Sequence, residues 1–157
     1  MRTFVYRAQF EPGDHHGVVV VSFPDVPEAI TEGPDQAEAY RQAEEALGLA
    51  LLTYPARGLP LPGPRTRGAG LVSIAVEPEI AAKLALLEAL RKQGLSQRTF
   101  ARLIGKDEWE ARRILDPKHA TKLATLTAAL RKLGQRLVIA VEPEPGEYRP
   151  AHPAEVL

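Results

Sequence analysis

Residues 95–134, LSQRTFARLIGKDEWEARRILDPKHATKLATLTAALRKLG, constrain the fold more than any other stretch, because their start and stop signals permit only short helices in quick succession. The hydroxyl of Ser96 is placed to cap a first helix, Phe100, Ala101 and Leu103 give it apolar positions, and Gly105 stands where the chain must leave it through positive φ. Asp107 and Glu110 form an Asp-x-x-Glu capping box for a second helix, which Ala111, Ile114 and Leu115 stripe on one side. Trp109, Arg112 and Arg113 fall on the opposite side. Thr121 is expected to cap a closing helix, whose Leu123, Leu126, Leu130 and Leu133 keep the helical period up to Gly134. Two helices of about eight or nine residues joined by about three residues match the helix-turn-helix arrangement, whose second helix enters the major groove of DNA.

The chain of 157 residues is 45% hydrophobic and 25% charged, enough for one ordinary domain or two small ones. Two are expected, residues 1–76 and residues 77–141, followed by a flexible tail over 142–157 that holds four prolines and no helical period. No apolar run approaches the length of a membrane span and no charged-then-apolar leader is present, so a cytoplasmic protein without membrane contact is the expectation. The absence of cysteine removes disulfides, thiolate nucleophiles and the common structural zinc sites.

The net charge of zero hides a polarity along the chain. Residues 1–70 carry six Lys and Arg against nine Asp and Glu, whereas residues 83–136 carry thirteen against five. The basic section coincides with the helical motif, as phosphate binding requires, although a solvated helical surface would show the same excess. An acidic front half suits a basic protein partner.

The front half alternates as a small sheet. Phe4, Tyr6, Ala8 and Phe10 recur at period two within Thr3 to Phe10, and Val18 to Val21 form an unbroken β-branched run expected of a central strand covered on both faces. Ala29 to Glu32 supplies a third strand. Pro34, at a first helical position, opens a helix with Tyr40, Ala43, Leu47, Ala50, Leu51 and Tyr54 on its buried side. Pro55 to Gly70 reads as a connector too rich in proline for helix, and Leu71 to Val76 as a fourth strand. Pro78 starts another helix, in which Ile80, Leu84, Leu87 and Leu90 face inward and Gly94 marks the end. After Gly134, Arg136 to Val141 is expected to be a short strand that pairs with a second copy, since so apolar a strand rarely stands alone. The fold class is therefore α+β: a β-β-β-α-β sheet domain followed by an all-helical domain with a short C-terminal strand.

At this point VVVSFPDVPEAITEGPDQAEAYRQAEEAL resembles the N-terminal domain of HicB-type antitoxins. Phe23, Pro24, Asp25, Val26 and Pro27 match the family's strand end, Thr31 and Gly33 its turn, Glu38, Ala39 and Ala43 its helix, and Pro60 to Pro64 its proline-bearing segment. Pro34-Asp35 departs from the usual Asp-Thr and alters the helix cap. The resemblance extends over nearly all of residues 3–141, since many members append a helix-turn-helix. It implies a front sheet resembling a truncated ribonuclease H fold, a HicA-type toxin partner that is a small basic ribonuclease cleaving mRNA, operator DNA as a second partner, and no cofactor. The pairing expected of Arg136 to Val141, not the resemblance, makes a homodimer or a higher even oligomer the expectation.

On that reading Phe23, Asp25, Glu32 and Asp35 are the toxin-facing candidates. Gln97, Arg98, Arg102, Trp109, Arg112, Arg113 and Lys118 are the DNA-facing ones, arginine being able to grip guanine edges or phosphate bidentately. Three carboxylates, Asp107, Glu108 and Glu110, stand against this, at the helix end that usually approaches bases. Asp25 reads equally as a partner contact or a turn-capping residue, and Trp109 as a DNA contact or a buried one. No catalytic or metal site is expected: His15 and His16 lack a third ligand, and Val18 to Val21 put no carboxylate on the central strand where two-metal hydrolysis would need one. The rival readings are a helix-turn-helix repressor with a ligand-sensing front domain, and an RNA-processing enzyme of ribonuclease H type.

Overall fold

The structure is a computed structural model that describes residues 1–143, so of the expected tail only 142 and 143 fall within it and 144–157 lie outside the described residues. Four strands, β1 (Val5–Pro12), β2 (Val19–Ser22), β3 (Ile30–Gly33) and β4 (Val72–Ala75), form one antiparallel sheet in the order β3-β2-β1-β4. Helix α1 (Gln36–Ala56) lies between β3 and β4 in the chain and covers one face of the sheet. Four further helices follow: α2 (Pro78–Gln93), α3 (Gln97–Ile104), α4 (Glu108–Leu115) and α5 (Leu123–Lys132). The class is α+β, as the alternation and the helical period require.

The sheet's packed face is built by the period-two residues. Tyr6 and Ala8 of β1, Val21 of β2 and Ile74 of β4 are fully buried against Ala39, Ala43, Leu47 and Leu51 of α1. The valine run behaves differently from the expectation. It is central, but α1 covers only one face, so Val21 is buried while Val20 stays half-buried beside the exposed Glu32 on the other. Close approach of α1 to β3 depends on Gly33: a Cβ there would lie 2.4 Å from the backbone nitrogen of Ala39 and 2.7 Å from its Cα.

Helix ends follow side-chain chemistry where a capping group is free. Asp35 caps α1, its Oδ1 accepting from the Glu38 N–H at 2.8 Å, so Pro34 precedes the cap and is not the first helical residue. Pro55 sits inside the last turn of α1, which the sequence assigned to the connector; a proline that late disturbs little of the helix behind it. Ser96 and Asp107 cap α3 and α4 by the same geometry, accepting from the N–H groups of Thr99 and Glu110. Gly94, Gly105 and Gly134 each adopt the left-handed conformation at a helix exit. Thr121 does not cap α5. Its hydroxyl accepts from the buried Lys83 ammonium at 2.7 Å, and α5 begins after Lys122 with no side-chain cap.

Helix α2 serves two cores. Leu84 is buried in the sheet core, whereas Ala82, Leu86, Ala89 and Leu90 belong to a second core with Phe100, Ala111, Ile114, Leu126 and Leu130. Residues two apart on a helix point about 200° apart, so one helix can bury opposite faces in separate cores. At its flank Glu88 takes salt bridges from Arg2 and Lys92, each at 3.6 Å.

The expected C-terminal strand is absent. Residues 136–141 form no strand and pair with none among the described residues; only Leu137 packs against the second core, while Val138, Ile139 and Val141 are exposed. A strand needs a neighbour, and a groove separates this segment from the nearest free edge, that of β4.

Replacing Gly33 with alanine is expected to push α1 off β3, because backbone atoms and no flexible side chain stand in the way. The cost should be about 1–3 kcal/mol, as for other overpacked sites. Chemical denaturation checks it: an unchanged midpoint would show that the helix yields freely.

Candidate functional site

Helices α3 and α4, eight residues each, are joined through Gly105, Lys106 and Asp107 and gather most of the basic candidates. Phe100, Ala101, Ala111 and Ile114 bury one side of the pair in the second core. On the outer side Arg98, Arg102, Trp109, Arg112, Arg113 and Lys118 are all exposed, and Gln97 is half-buried.

The three carboxylates at the start of α4 are each engaged within the chain. Asp107 accepts the Glu110 N–H at 2.8 Å, Glu108 accepts from the Arg98 guanidinium at 3.1 Å, and Glu110 meets Lys106 Nζ at 3.7 Å. The capping box is thus half-formed, since the Glu110 carboxylate turns to Lys106. Gln97 adds a bond from its amide to the Glu108 carbonyl at 3.3 Å, locking the starts of α3 and α4 together. Such exposed pairs contribute little stability, about 0–1 kcal/mol each, but they neutralise charge at this end. Arg98 is consequently committed to Glu108, whereas Arg112 makes no hydrogen bond or ion pair among the described residues.

Trp109 is neither buried nor alone. It is 63% exposed, and the Arg113 guanidinium lies over its ring at 4.7 Å from the centroid. Arg113 Nη2 also donates to His119 Nε2 at 2.8 Å, an arrangement that requires the neutral imidazole. The proton then sits on Nδ1, which is buried without a partner among the described residues. Arg113 is therefore oriented from both sides. Helical spacing puts Trp109 and Arg113 on one face, and the loop to α5 adds His119, to which no spacing points.

Lys83 was also missed by sequence reading. It is 4% exposed, and its Nζ donates to the carbonyls of Ile114 at 2.5 Å and Asp116 at 3.1 Å as well as to Thr121. An ammonium there satisfies carbonyls at the end of α4, where cations are favoured, and ties α4 to α2. Burial lowers its pKa to about 8, with the Asp116 carboxylate opposing the shift.

The front half uses its candidates differently from the expectation. Phe23 is 2% exposed within the sheet core and so presents no surface; the strand end turns its ring inward. Asp25 is a clasp for the proline-rich connector: Oδ2 accepts from the backbone N–H groups of Arg65 and Thr66 at 2.9 and 2.8 Å, and Oδ1 from the Thr66 hydroxyl at 2.9 Å. The Tyr6 hydroxyl and the Arg2 guanidinium hold the same connector by donating to the Pro62 carbonyl. The Tyr54 hydroxyl bonds Glu28, and burial with that bond raises the tyrosine to about 12 while lowering the carboxyl of Glu28. Asp35 is occupied as a cap. Glu32 and Ile30 remain exposed on β3, the isoleucine at 65%. Among the described residues no three His, Asp or Glu converge as a metal-binding group, and no helix is long and apolar enough to cross a membrane.

No protein-family profile matches the chain. Antitoxin HicB 2 of Photorhabdus laumondii is 38% identical over 132 residues, which span 84% of this chain and 92% of that protein. Antitoxin HicB of Escherichia coli (strain K12) is 34% identical over 127 residues, spanning 80% and 91%. Antitoxin HicB of Pseudomonas fluorescens is 27% identical over 139 residues, spanning 88% and 95%. Likeness over most of both chains places this protein among the antitoxins of toxin–antitoxin systems, which are not enzymes. The chain belongs to the HicB antitoxin family.

Lys83 generates a signed pH prediction. Between about pH 8 and the usual lysine value of 10.5 the unfolded chain retains a proton that the folded chain has released, so this group makes unfolding harder as pH rises through that window. Lys83→Met should lose that rise and, at neutral pH, lose about 1–3 kcal/mol for the carbonyls and hydroxyl left unpaired. Urea titrations of both proteins from pH 7 to 10.5 check it; parallel stability curves would contradict the assignment.

Proposed function

We propose that this protein neutralises a HicA-type toxin, a small basic mRNA-cleaving ribonuclease, and represses its own operon by binding operator DNA. The whole-length likeness to HicB antitoxins carries the first half of this reading. Residues 1–76 are the toxin-neutralising domain, a truncated ribonuclease H-like sheet, and residues 77–141 the DNA-binding and dimerising domain. With Asp25 clasping the connector and Phe23 in the core, the toxin-facing surface moves to the open sheet face, where Ile30 and Glu32 are exposed beside Val20. Carboxylates there steer a basic partner and add specificity more than affinity.

The second half rests on one observation: each carboxylate at the start of α4 is held by a partner within the chain, leaving Arg102, Arg112, Arg113 and Lys118 to set the field of that surface. In this reading α3 and α4 are a helix-turn-helix, α4 enters the major groove, Arg113 is aimed by Trp109 and His119, and Gln97 and Arg98 steady the start of the pair. The working unit is a cytoplasmic homodimer or a higher even oligomer, so that two recognition helices meet successive major grooves.

Co-expression of the full chain with a HicA-type toxin should yield a stable complex and abolish mRNA cleavage. Glu32→Lys should slow association at low salt without changing the melting temperature. Failure of the unaltered chain to form any complex would overturn the toxin assignment. Independently, Arg112→Ala combined with Arg113→Ala should cost on the order of 1–3 kcal/mol per specific contact and flatten the salt dependence of operator binding. Unchanged affinity across several salt concentrations would remove this face from DNA recognition.

A further inference from the structure

Trp109 and Arg113 stand four residues apart on the outer side of α4, close enough on a helix for their side chains to meet. The Arg113 guanidinium lies over the indole at 4.7 Å from the ring centroid, and its Nη2 is bonded to His119 Nε2 at 2.8 Å. One face and one nitrogen of the guanidinium are thus used within the chain. The rest of the fork makes no other hydrogen bond and no ion pair among the described residues. Trp109 keeps 63% of its surface exposed, and the second core takes Phe100, Ala111 and Ile114 from this helix pair without it.

Arg112, the next residue back, is equally exposed and has no such restraint. The difference decides what each arginine is suited to. A free arginine adds positive potential and meets phosphates in many geometries, whereas a guanidinium fixed in plane and direction matches one target and surrenders less rotamer freedom in reaching it. In the major groove the matching target is guanine, whose O6 and N7 accept both donors of a fork. Thymine alone presents a methyl group there, which an apolar side chain such as an indole contacts. Successive base pairs are separated by about 3.4 Å, a spacing comparable to that of a stacked guanidinium and indole, so the two groups address neighbouring base pairs.

We propose that Trp109 and Arg113 form one reading element for a two-base-pair step. Arg113 holds a guanine through O6 and N7, Trp109 covers the methyl of a thymine in the adjoining base pair, and His119 is the positioning residue that sets the plane of the fork. This rests on operator binding by α4 in the proposed function and names the sequence that such binding selects. The acidic neighbours do not compete as readers. Glu108 and Glu110 are turned to Arg98 and Lys106, and Asp107 to its cap, so a cytosine amino group finds no free carboxylate at this end of α4. Arg112 and Lys118 are left to the phosphates, which position the helix without specifying a base.

The test uses the full chain and a pool of DNA duplexes with a random central segment, from which bound sequences are recovered and then titrated singly. The expected result is a shared guanine with a thymine in the base pair beside it, and replacing that guanine's base pair should weaken binding about 5- to 150-fold. In the best duplex, 7-deazaguanine removes only the N7 acceptor and uracil removes only the thymine methyl, and each should weaken binding by the unaltered chain. Trp109→Ala should abolish the response to uracil and keep the response to 7-deazaguanine; Arg113→Ala should do the reverse. His119→Ala should relax the guanine preference without changing the salt slope, and His119→Gln, whose amide oxygen still accepts from Arg113, should restore it. Recovered sites without the guanine–thymine step, or a uracil response that survives Trp109→Ala, would overturn the proposal and leave operator binding standing. Tight binding with no sequence enriched over the starting pool would show phosphate contact without base reading and likewise overturn it. An unchanged guanine preference in His119→Ala would overturn the positioning role. Failure to bind any duplex would overturn the operator assignment itself.

Discussion

Everything in this molecule hangs on α2 being buried from two sides. Its helical period sends Ile80 and Leu84 toward the sheet and Ala82, Leu86, Ala89 and Leu90 toward the three helices that follow. Because β4 ends at Ala75 and α2 starts at Pro78, there is no slack between sheet and helices. The front and rear halves are therefore joined by shared apolar packing as well as by chain, and the Arg2–Glu88 pair reinforces the joint from the N-terminal side. A change in one core that rotated α2 would be felt in the other.

The same helix carries Lys83, the point where the rear half is fastened most specifically. A buried ammonium is costly unless its donors are used, and here all three find acceptors at the end of α4 and on Thr121. The result fixes where α4 stops and therefore how its outer face is presented. Arg113 is held further by Trp109 and His119, so part of the basic surface is ordered by contacts within the chain. Ordering in advance lowers the entropy that binding must otherwise surrender.

On the front half, polar groups that look available are mostly in service. The connector after α1 has no ladder of its own, and Asp25, Tyr6 and Arg2 supply bonds to its backbone. That leaves the uncovered sheet face and the β4 edge as the places where the structure is unfinished. Open sheet faces and edges of this kind are where a folded chain can accept another.

Much of the architecture was legible in the sequence because it rests on local chemistry. Period-two alternation in β1, the apolar side of α1, and the pairing of Ser96 with Gly105 around α3 each depend on residues within a few positions of one another. The Phe23-to-Ala43 motif was likewise enough to point to the family. What only the tertiary structure decided are contacts across long separations: Asp25 with Thr66, Lys83 with Ile114 and Thr121, and the groove between β4 and residues 135–143. Thr121 bonds Lys83 instead of capping α5, and residues 136–141 form no strand, for one reason. A hydroxyl or a backbone amide bonds to whatever partner the fold brings within reach, and a sequence specifies the need for a partner without specifying which one is near.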